Sequence, residues 1–192
     1  WAAQGLTEQV GLARQRWQKW QIITNEQKVT QTADAHPYCR LDSRDWLTHC
    51  LKSINGHIPH ELDTLPIPGT QPVFDSRLPA VPNGAMLQHF KGVEIKTAQP
   101  CFLPDTAILM DFRCDQSRGI HFIYLLPYSP TEALVESTML SPKHQDEAFY
   151  TEAIKTYLET YWDTGGWQVS HTEHGCIPMA FVQPVNPDYL AI

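Results

Sequence analysis

Two short apolar runs near the middle of the chain, Ile120–Leu126 and Ala133–Leu140, give the clearest structural signal in the sequence. Pro127, Ser129 and Pro130 lie between them. Short runs that are rich in β-branched and aromatic residues and bounded by turn-forming residues are typical of strands. We therefore expect a β-hairpin over these residues.

The second run contains one charged residue, Glu136. Because side chains alternate along a strand, Glu136 should share a face with Leu134 and Thr138. A carboxylate in such a run is either solvated on an open face of the sheet or has a catalytic role, and the pattern leaves both interpretations open. If Glu136 is buried, its pKa rises and it can hold a proton at neutral pH, which a general acid requires.

Other apolar patterns predict strands on both sides of this hairpin and one long helix after it. The helix should cover Asp146–Trp162, where an apolar stripe recurs at helical spacing and Gly165-Gly166 ends it. The predicted strands are Val73–Phe74, Met86–Ile95, Ile108–Cys114 and Trp167–His171. We therefore predict an α+β fold, with a mostly antiparallel sheet and covering helices.

The first 72 residues have weaker patterns. Apolar residues at helical spacing predict a surface helix over Leu6–Trp20, and Gln21–Thr30 has the pattern of a second hairpin around Asn25-Glu26. Asp42 or Ser43 should cap a further helix that carries Trp46 and Leu51. Repeated prolines predict a loop over residues 55–72.

Composition narrows the class of protein. The chain has 192 residues, a net charge of −7 and only 14 Lys and Arg, which argues against binding to nucleic acid. It contains no apolar stretch of the roughly 20 residues that a membrane-spanning helix needs. The five cysteines are an odd number without a CxxC motif, which favours free thiols in a reducing, cytoplasmic compartment. Because the chain begins at Trp1 and ends inside an apolar run, we interpret it as part of a longer protein.

Several common kinds of site lack their sequence signals. There is no glycine-rich phosphate loop, so we expect no nucleotide pyrophosphate site on this chain. The histidines and cysteines in HTEHGC and HIPH lack the paired spacing of a structural zinc site, and we predict no metal site. A Ser/His/Asp hydrolase would need a nucleophile turn such as GxSxG, which is absent.

A second carboxylate of interest lies in the segment LMDFR. Asp111 and Arg113 are two residues apart, so on a regular strand they would share a face with Leu109. The pattern fits a partly exposed ion pair at the end of a strand and fits a functional pair equally well. Both interpretations stay open.

Several segments, taken in order, resemble the FAD-dependent lycopene cyclases of carotenoid synthesis. A looser match, PYCRLDS, precedes them. The matching segments are VFDSR (Val73–Arg77), QHFKGVE (Gln88–Glu94), LMDFRCDQ (Leu109–Gln116), FIYLLPYSP (Phe122–Pro130), ALVEST (Ala133–Thr138) and EHGCIPM (Glu173–Met179).

The resemblance implies a flavoprotein hydroxylase-like fold, in which a Rossmann-type FAD domain is interleaved with a substrate domain. Residues 1–80 would be a partial FAD-domain remnant, residues 81–180 the substrate-binding sheet domain, and residues 181–192 a return toward the FAD domain. Asp75 and Arg77 would contact FAD. The dinucleotide fingerprint would lie upstream of Trp1, so only the complete enzyme would bind FAD.

The resemblance also implies a reaction. A proton is added to the linear end of lycopene, the chain closes into a β-ring, and a proton is lost, with reduced FAD required and NAD(P)H as a possible reductant. Glu136 would be the acid, with Asp111 and Arg113 as further catalytic residues. Ser137 stands where plant enzymes have a second acidic residue. The implied substrate-binding residues, whose aromatic members could stabilise a cation, are Phe112, Phe122, Tyr124, Leu134 and Thr138.

Two other functions remain open at this point. The same sheet would serve a non-catalytic module that binds an apolar ligand, or another FAD-dependent oxidoreductase or monooxygenase of the same fold. The cyclase interpretation also implies an enzyme that sits at the membrane surface, because lycopene dissolves in lipid. The discriminating residue is Glu136, since a cyclase needs an acid in its pocket and a binding module does not.

Overall fold

The structure is a computed structural model that describes residues 11–53, 74–75, 81–179 and 190–191. The predicted loop over residues 55–72, the first part of the predicted N-terminal helix and Arg77 lie outside these residues. In chain order the elements are β1 (Ala13–Trp17), β2 (Lys19–Ile23), β3 (Lys28–Thr32), β4 (Tyr38–Leu41), α1 (Ser43–Ser53), β5 (Phe74–Asp75), β6 (Leu87–Thr97), β7 (Thr106–Asp111), β8 (Ile120–Pro127), β9 (Glu132–Ser141), α2 (Glu147–Tyr161), β10 (Trp167–Pro178) and β11 (Leu190–Ala191).

Seven of these strands form a central sheet in the order β10-β6-β9-β8-β7-β2-β3. Neighbouring strands are antiparallel, except that β2 pairs with β7 in parallel. The predicted central hairpin is confirmed as β8 and β9, in which Tyr124 lies directly opposite Glu136. The mostly antiparallel sheet is confirmed as well.

Helix α2 packs across one face of the sheet and closes the core. Asp146 caps its first turn, where its Oδ1 accepts a hydrogen bond from the Phe149 N–H at 3.0 Å. Tyr150, Ile154, Tyr157 and Leu158 are the buried residues of the helix. Aliphatic side chains from the middle strands meet them: Val93, Ile95, Ile123, Leu125, Ala133 and Val135. The predicted helix and its inward stripe are confirmed.

The prediction of a helix over Leu6–Trp20 is wrong for the residues that the structure describes, because residues 13–23 form β1 and β2. β1 pairs with β4, and β2 pairs with β3 and β7. Trp17 is fully buried, and its indole N–H donates to the Pro127 carbonyl oxygen at 2.8 Å. Pairing with distant strands therefore outweighs the local helical spacing.

Two other N-terminal predictions are confirmed. The hairpin around Asn25-Glu26 forms from β2 and β3, closed by a hydrogen bond from Thr24 N–H to the Gln27 carbonyl at 2.8 Å. Asp42 caps α1, since its Oδ1 accepts hydrogen bonds from the N–H groups of Arg44 and Asp45. None of the α1 side chains is buried.

Two strands differ most from prediction in where they begin or end. The strand predicted over Ile108–Cys114 begins earlier and ends at Asp111. The strand predicted over Trp167–His171 continues to Pro178, because its backbone pairs with β6 along its whole length. The polar side chains of this added part are exposed. A mainly exposed edge strand carries little apolar pattern in its sequence.

The two ends of the chain relate to the predicted domains in different ways. β2 and β3 extend the same sheet as β6–β10, although they precede residue 81. The backbones of Phe74 and Asp75 pair in parallel with Leu190 and Ala191, so the chain returns near residue 190 to the neighbourhood of residue 75. The division into 1–80, 81–180 and 181–192 stays a prediction.

Within the described residues, the structure shows no helix of the length and apolar character needed to cross a bilayer. All five cysteines have free thiols.

Candidate active site

The two faces of the central sheet have different surroundings. Helix α2 covers one of them, which we call the helix face, where Ile123 and Val135 are buried. Tyr124 and Glu136, one residue further along their strands, point to the opposite face, which we call the Glu136 face. The two-stranded β1–β4 sheet lies over part of the Glu136 face, where Arg40 of β4 pairs with Glu94 of β6 at 2.8 Å.

Glu136 is half-buried in the middle of its face. Its pKa is raised to about 7, mainly by burial and to a smaller extent by the charge of Glu173, while a hydrogen bond donated by the Thr138 hydroxyl at 2.6 Å acts in the opposite direction. Within the described part of the chain, no Lys or Arg forms an ion pair with Glu136. A large fraction of the Glu136 carboxyl therefore carries a proton at neutral pH, as a general acid must.

Four of the five predicted substrate-binding residues lie on β8 and β9 around Glu136, and the fifth, Phe112, is next to Phe122. Tyr124 is directly opposite it, Phe122 is directly opposite Thr138, and Leu134 is two residues away on the same face. The Phe122 ring lies 5.2 Å from the Tyr124 ring and 5.6 Å from the Phe112 ring, measured between centroids. Glu136 is thus bordered by aromatic rings along β8, as a site for a cationic intermediate requires.

Tyr38 is a neighbour of Glu136 that the sequence analysis did not single out. It lies on β4, above the Glu136 face, and burial raises its pKa, with a further increase from the charge of Glu136. Its ring lies 5.7 Å from that of Trp17. Its only signal in the sequence is its place in PYCRLDS, the loosest of the segments that resemble the family.

Asp111 and Arg113 lie on the other side of the sheet. Asp111 is fully buried and pairs with Arg113 at 2.9 Å (Nε to Oδ1) and 2.6 Å (Nη2 to Oδ2). The hydroxyl of Tyr157, from α2, donates a third hydrogen bond to Asp111 Oδ2 at 2.9 Å. The Arg113 guanidinium also stacks 3.9 Å from the centre of the Tyr161 ring. The structure therefore joins this pair to α2 and does not bring it beside Glu136.

A register shift in β7 changes the face that Asp111 occupies. Ile108 is opposite Leu125 and Asp111 is opposite Ile123, with an irregularity between them. Both partners on β8 are core residues, so Ile108 and Asp111 point to the helix face although they are three positions apart. The strict alternation by which Asp111 would share a face with Leu109 does not hold.

Two buried histidines complete the helix face. His89 bonds the Tyr150 hydroxyl at 2.6 Å and the Ser141 hydroxyl at 3.0 Å. His121 bonds the Asp115 carbonyl at 3.0 Å and the Ser137 hydroxyl at 2.8 Å. Burial lowers the pKa of both, so they are neutral polar anchors under α2. Among the residues that the structure describes, no group of three or more His, Cys, Asp or Glu could hold a metal ion.

Two clefts of about 490 Å³ each lie away from Glu136. One runs beside α2 and is lined by Arg113, Arg118 and Tyr161. The other lies between the start of α2 and β10, lined by Phe90 and His174. Neither is bordered by the aromatic residues of β8 that surround Glu136. We therefore locate the candidate site by the raised pKa and aromatic surroundings of Glu136 and not by these clefts.

The residues predicted to contact FAD are only partly placed. The backbone of Asp75 is paired in parallel with β11, and Arg77 lies outside the described residues. The sequence contains no glycine-rich loop for the pyrophosphate. The chain by itself therefore lacks the usual sequence motif that binds the phosphate groups of the cofactor.

Comparison with solved structures shows that the chain shares its fold with a reductase-like protein and a flavin-dependent brominase. A geranylgeranyl bacteriochlorophyll reductase-like protein from Thermoplasma acidophilum matches with a TM-score of 0.67 and 9% identity, over 100% of this chain and 59% of that protein. A flavin-dependent brominase matches with a TM-score of 0.60 and 9% identity, over 98% of this chain and 57% of that protein. The predicted α+β, flavoprotein-type fold is confirmed.

Sequence comparison then gives the family. Residues 67–190 match the lycopene cyclase protein family, and the chain belongs to that family. A lycopene β-cyclase from a Paracoccus species is 36% identical over 95 residues, 48% of this chain and 24% of that protein. One from Pantoea ananas is 33% identical over 118 residues, 58% of this chain and 29% of that protein. The matched stretches thus span about a quarter of these relatives.

Proposed function

We propose that this chain is the substrate-domain part of a longer lycopene β-cyclase, in which Glu136 protonates the substrate. Family membership and the names of the curated relatives support the reaction class. The single observation that carries the assignment of the acid is the position of Glu136. It is half-buried on an aromatic-lined face without a cationic partner in the described residues, and its pKa is about 7.

The proposed reaction is an isomerisation driven by proton transfer. Glu136 donates its proton to a terminal C=C bond of the linear carotene, and the O–H bond breaks as a C–H bond forms. The resulting carbocation is attacked by a neighbouring double bond, which closes the ring. A ring carbon then releases a proton to a base, so that no net redox change occurs.

The residues around Glu136 support this sequence of steps. A hydrocarbon offers no polar atom to hold, so the site must grip it by apolar contact, which Phe122, Tyr124 and Leu134 supply. A cation over an aromatic ring gains about 0.5–2 kcal/mol, depending on how well it is desolvated. The Phe122 ring lies 5.6 Å from the Phe112 ring and 5.2 Å from the Tyr124 ring, so three aromatic rings are grouped beside Glu136 in the proposed site.

Under this proposal, the rest of the longer enzyme holds reduced FAD, with Asp75 and Arg77 contributing from this chain. NAD(P)H as the reductant stays a prediction. The enzyme would be peripheral to the membrane on the cytoplasmic side and would draw its carotene from the lipid surface.

Isotope incorporation tests the proposed reaction. The complete enzyme is incubated with lycopene, FAD and reductant in D₂O, and the cyclic product is analysed by mass spectrometry and NMR. We expect one deuterium per ring closed, at the carbon that Glu136 protonates, since an exchangeable carboxyl delivers solvent hydrogen. A cyclic product without deuterium would exclude a protonating acid, and unchanged lycopene that stays bound would favour the apolar-ligand module.

A further inference from the structure

Strand β9 has a serine, Ser137, next to Glu136 and offers no second acid. The hydroxyl of Ser137 is on the helix face and bonds to His121. A second carboxylate nevertheless reaches the neighbourhood of Glu136 from another strand. We propose that Glu173 of β10 is a positioning residue for the reaction, held over Gly92 so that its charge keeps the proton on Glu136. This inference rests on the proposed role of Glu136 as the acid.

The register of three strands places the two carboxylates in one row. Gly92 of β6 is directly opposite Glu136 of β9, and Glu173 of β10 is directly opposite Gly92. Residues directly opposite each other in antiparallel strands point to the same face. Glu136 and Glu173 therefore share the Glu136 face and are separated by one position that carries no side chain.

The side chain of Glu173 lies across this gap. A Cβ placed on Gly92 would be 3.0 Å from Glu173 Cγ, 3.1 Å from Glu173 Oε1 and 3.2 Å from Leu134 Cδ1. Gly92 is not among the glycines with positive φ, so its backbone does not require glycine. The space above it favours glycine, because a larger residue would press against the Glu173 side chain and push it aside.

The other charged and titratable groups described on this face do not neutralise the charge of the two carboxylates. Glu94 of β6 is neutralised by Arg40 at 2.8 Å and accepts a hydrogen bond from Tyr128. His171 of β10 is opposite Glu94, and the tyrosines nearest to Glu136 are Tyr38 of β4 and Tyr124 of β8. Among the described residues, no Lys or Arg forms an ion pair with Glu136 or Glu173.

Two neighbouring carboxylates without a cation favour a state in which one keeps its proton. Glu136 is the more buried of the two, so it holds the proton while Glu173 supplies the negative charge. After Glu136 has protonated the substrate, the same charge makes its carboxylate a better acceptor for the proton that the ring cation releases. That step breaks a C–H bond, forms the O–H bond of Glu136 and restores the acid.

The test is the pH dependence of the complete enzyme with Glu173→Gln, which keeps the shape and removes the charge. Because Glu136 must be protonated to act, rate falls as pH rises through the pKa of Glu136. We expect the variant to lose rate at a pH lower by roughly 0.5–1 unit, since one nearby charge is removed. A purely structural role would lower the rate at every pH and leave the profile in place, which would overturn the proposal.

Matched variants sharpen this test. Gly92→Ala should shift the profile in the same direction, and adding it to Glu173→Gln should shift it no further. Glu132→Gln removes another carboxylate from the same face of β9, one that pairs with Lys96 at 3.4 Å, and should leave the profile unchanged. A shift as large in Glu132→Gln as in Glu173→Gln would contradict a specific role for Glu173.

A direct measurement separates this inference from the proposed function. The infrared C=O band of protonated Glu136, identified by its loss in Glu136→Gln, is titrated with and without Glu173→Gln. If the band titrates at lower pH in the variant while no cyclisation is ever seen, the effect of Glu173 on the pKa of Glu136 is supported and the cyclase proposal fails. If cyclisation depends on Glu136 but neither the band nor the profile moves, the role of Glu173 is wrong.

Discussion

Asp111 and Glu136 lie on opposite faces of one sheet, and their environments differ in every respect that matters for acid chemistry. Their partners on β8, Ile123 and Tyr124, are consecutive residues. Asp111 is fully buried, with an arginine and a tyrosine hydroxyl bonded to it. Glu136 is half-buried and has a single hydrogen bond from Thr138 in the described structure. A buried carboxyl group keeps its proton at neutral pH only if no neighbouring cation stabilises its ionised form, because burial raises the pKa and a cation lowers it.

The same contrast extends to the other polar residues of the sheet. On the helix face, His89 and His121 have partners on both ring nitrogens, and Asp111 has partners on both oxygens. His89 and Asp111 bond Tyr150 and Tyr157 of α2 and so hold the helix to the sheet. On the opposite face, Glu136 and Glu173 share a row across Gly92, and neither forms an ion pair with a Lys or Arg among the described residues. The polar groups of the helix face are therefore paired, and in our proposal the unpaired Glu136 on the other face donates a proton.

The largest effect on stability should come from Asp111→Asn. It removes the anionic partner of Arg113 within a largely buried network, and breaking such a pair typically costs about 3 kcal/mol or more of unfolding free energy. Urea unfolding of the chain measures it. The control is Asp45→Asn, which breaks the exposed Arg14–Asp45 pair and should change the unfolding free energy far less. Equal losses in the two variants would mean that Asp111 does not anchor α2.

Glu136 should make the protein less stable as pH rises. Its folded-state pKa, about 7, lies above the value near 4.5 of an unperturbed glutamate. The favourable contribution of the protonated form is therefore fully present below about pH 4.5 and is lost as pH rises through 7, by roughly 1–3 kcal/mol. Unfolding free energies between pH 5 and 8 measure this loss. Glu136→Gln should flatten the curve over that range, and an unchanged slope would contradict the raised pKa.

The histidines of the helix face should have the opposite effect on acidification. Burial lowers the pKa of His89 and His121 below the ordinary 6.5, so both resist protonation while the protein is folded. Their contribution to stability is present above pH 6.5 and is lost as pH falls below it. We expect this acid-side loss to persist in Glu136→Gln, since His89 and His121 lie on the face opposite Glu136. Its disappearance in that variant would show that the faces are coupled.

The smallest effect should be that of FAD on the chain alone. Without a glycine-rich phosphate loop, the chain should bind no FAD above background and catalyse no cyclisation. Titration with FAD, followed by flavin fluorescence and by the melting temperature, measures this. Stoichiometric quenching at micromolar FAD would show that a flavin site exists within these residues.

Local patterns in the sequence predicted the elements that neighbouring residues determine. The β8–β9 hairpin, the cap at Asp146 and the apolar stripe of α2 all depend on residues close together in the chain, and all three are confirmed. The N-terminal helix was predicted wrongly because Trp17 is buried by residues more than a hundred positions away, including Pro127. No window of local sequence contains that contact.

The residues of the candidate site also fall into those that local sequence predicts and those that depend on distant strand pairing. Alternation along β9 was enough to group Glu136 with Leu134 and Thr138, and the hairpin added Phe122 and Tyr124. The face of Asp111 was beyond prediction, because a register shift within β7 changes the alternation. The approach of Glu173 depends on the pairing of β10 with β6, two strands about 80 residues apart in the chain, and on the missing side chain at Gly92.

The most direct test of the difference between the two faces compares Glu136→Gln with Asp111→Asn in the complete enzyme. Conversion of lycopene to cyclic product is measured with FAD under reducing conditions, per amount of folded protein. We predict that Glu136→Gln loses at least about 100-fold in rate with little change in stability, since a positioned general acid contributes about 10²–10⁴-fold. Asp111→Asn should lose stability but retain most of its rate per folded molecule. Near-normal cyclisation by Glu136→Gln together with an inactive, fully folded Asp111→Asn would place the acid on the helix face and contradict this account.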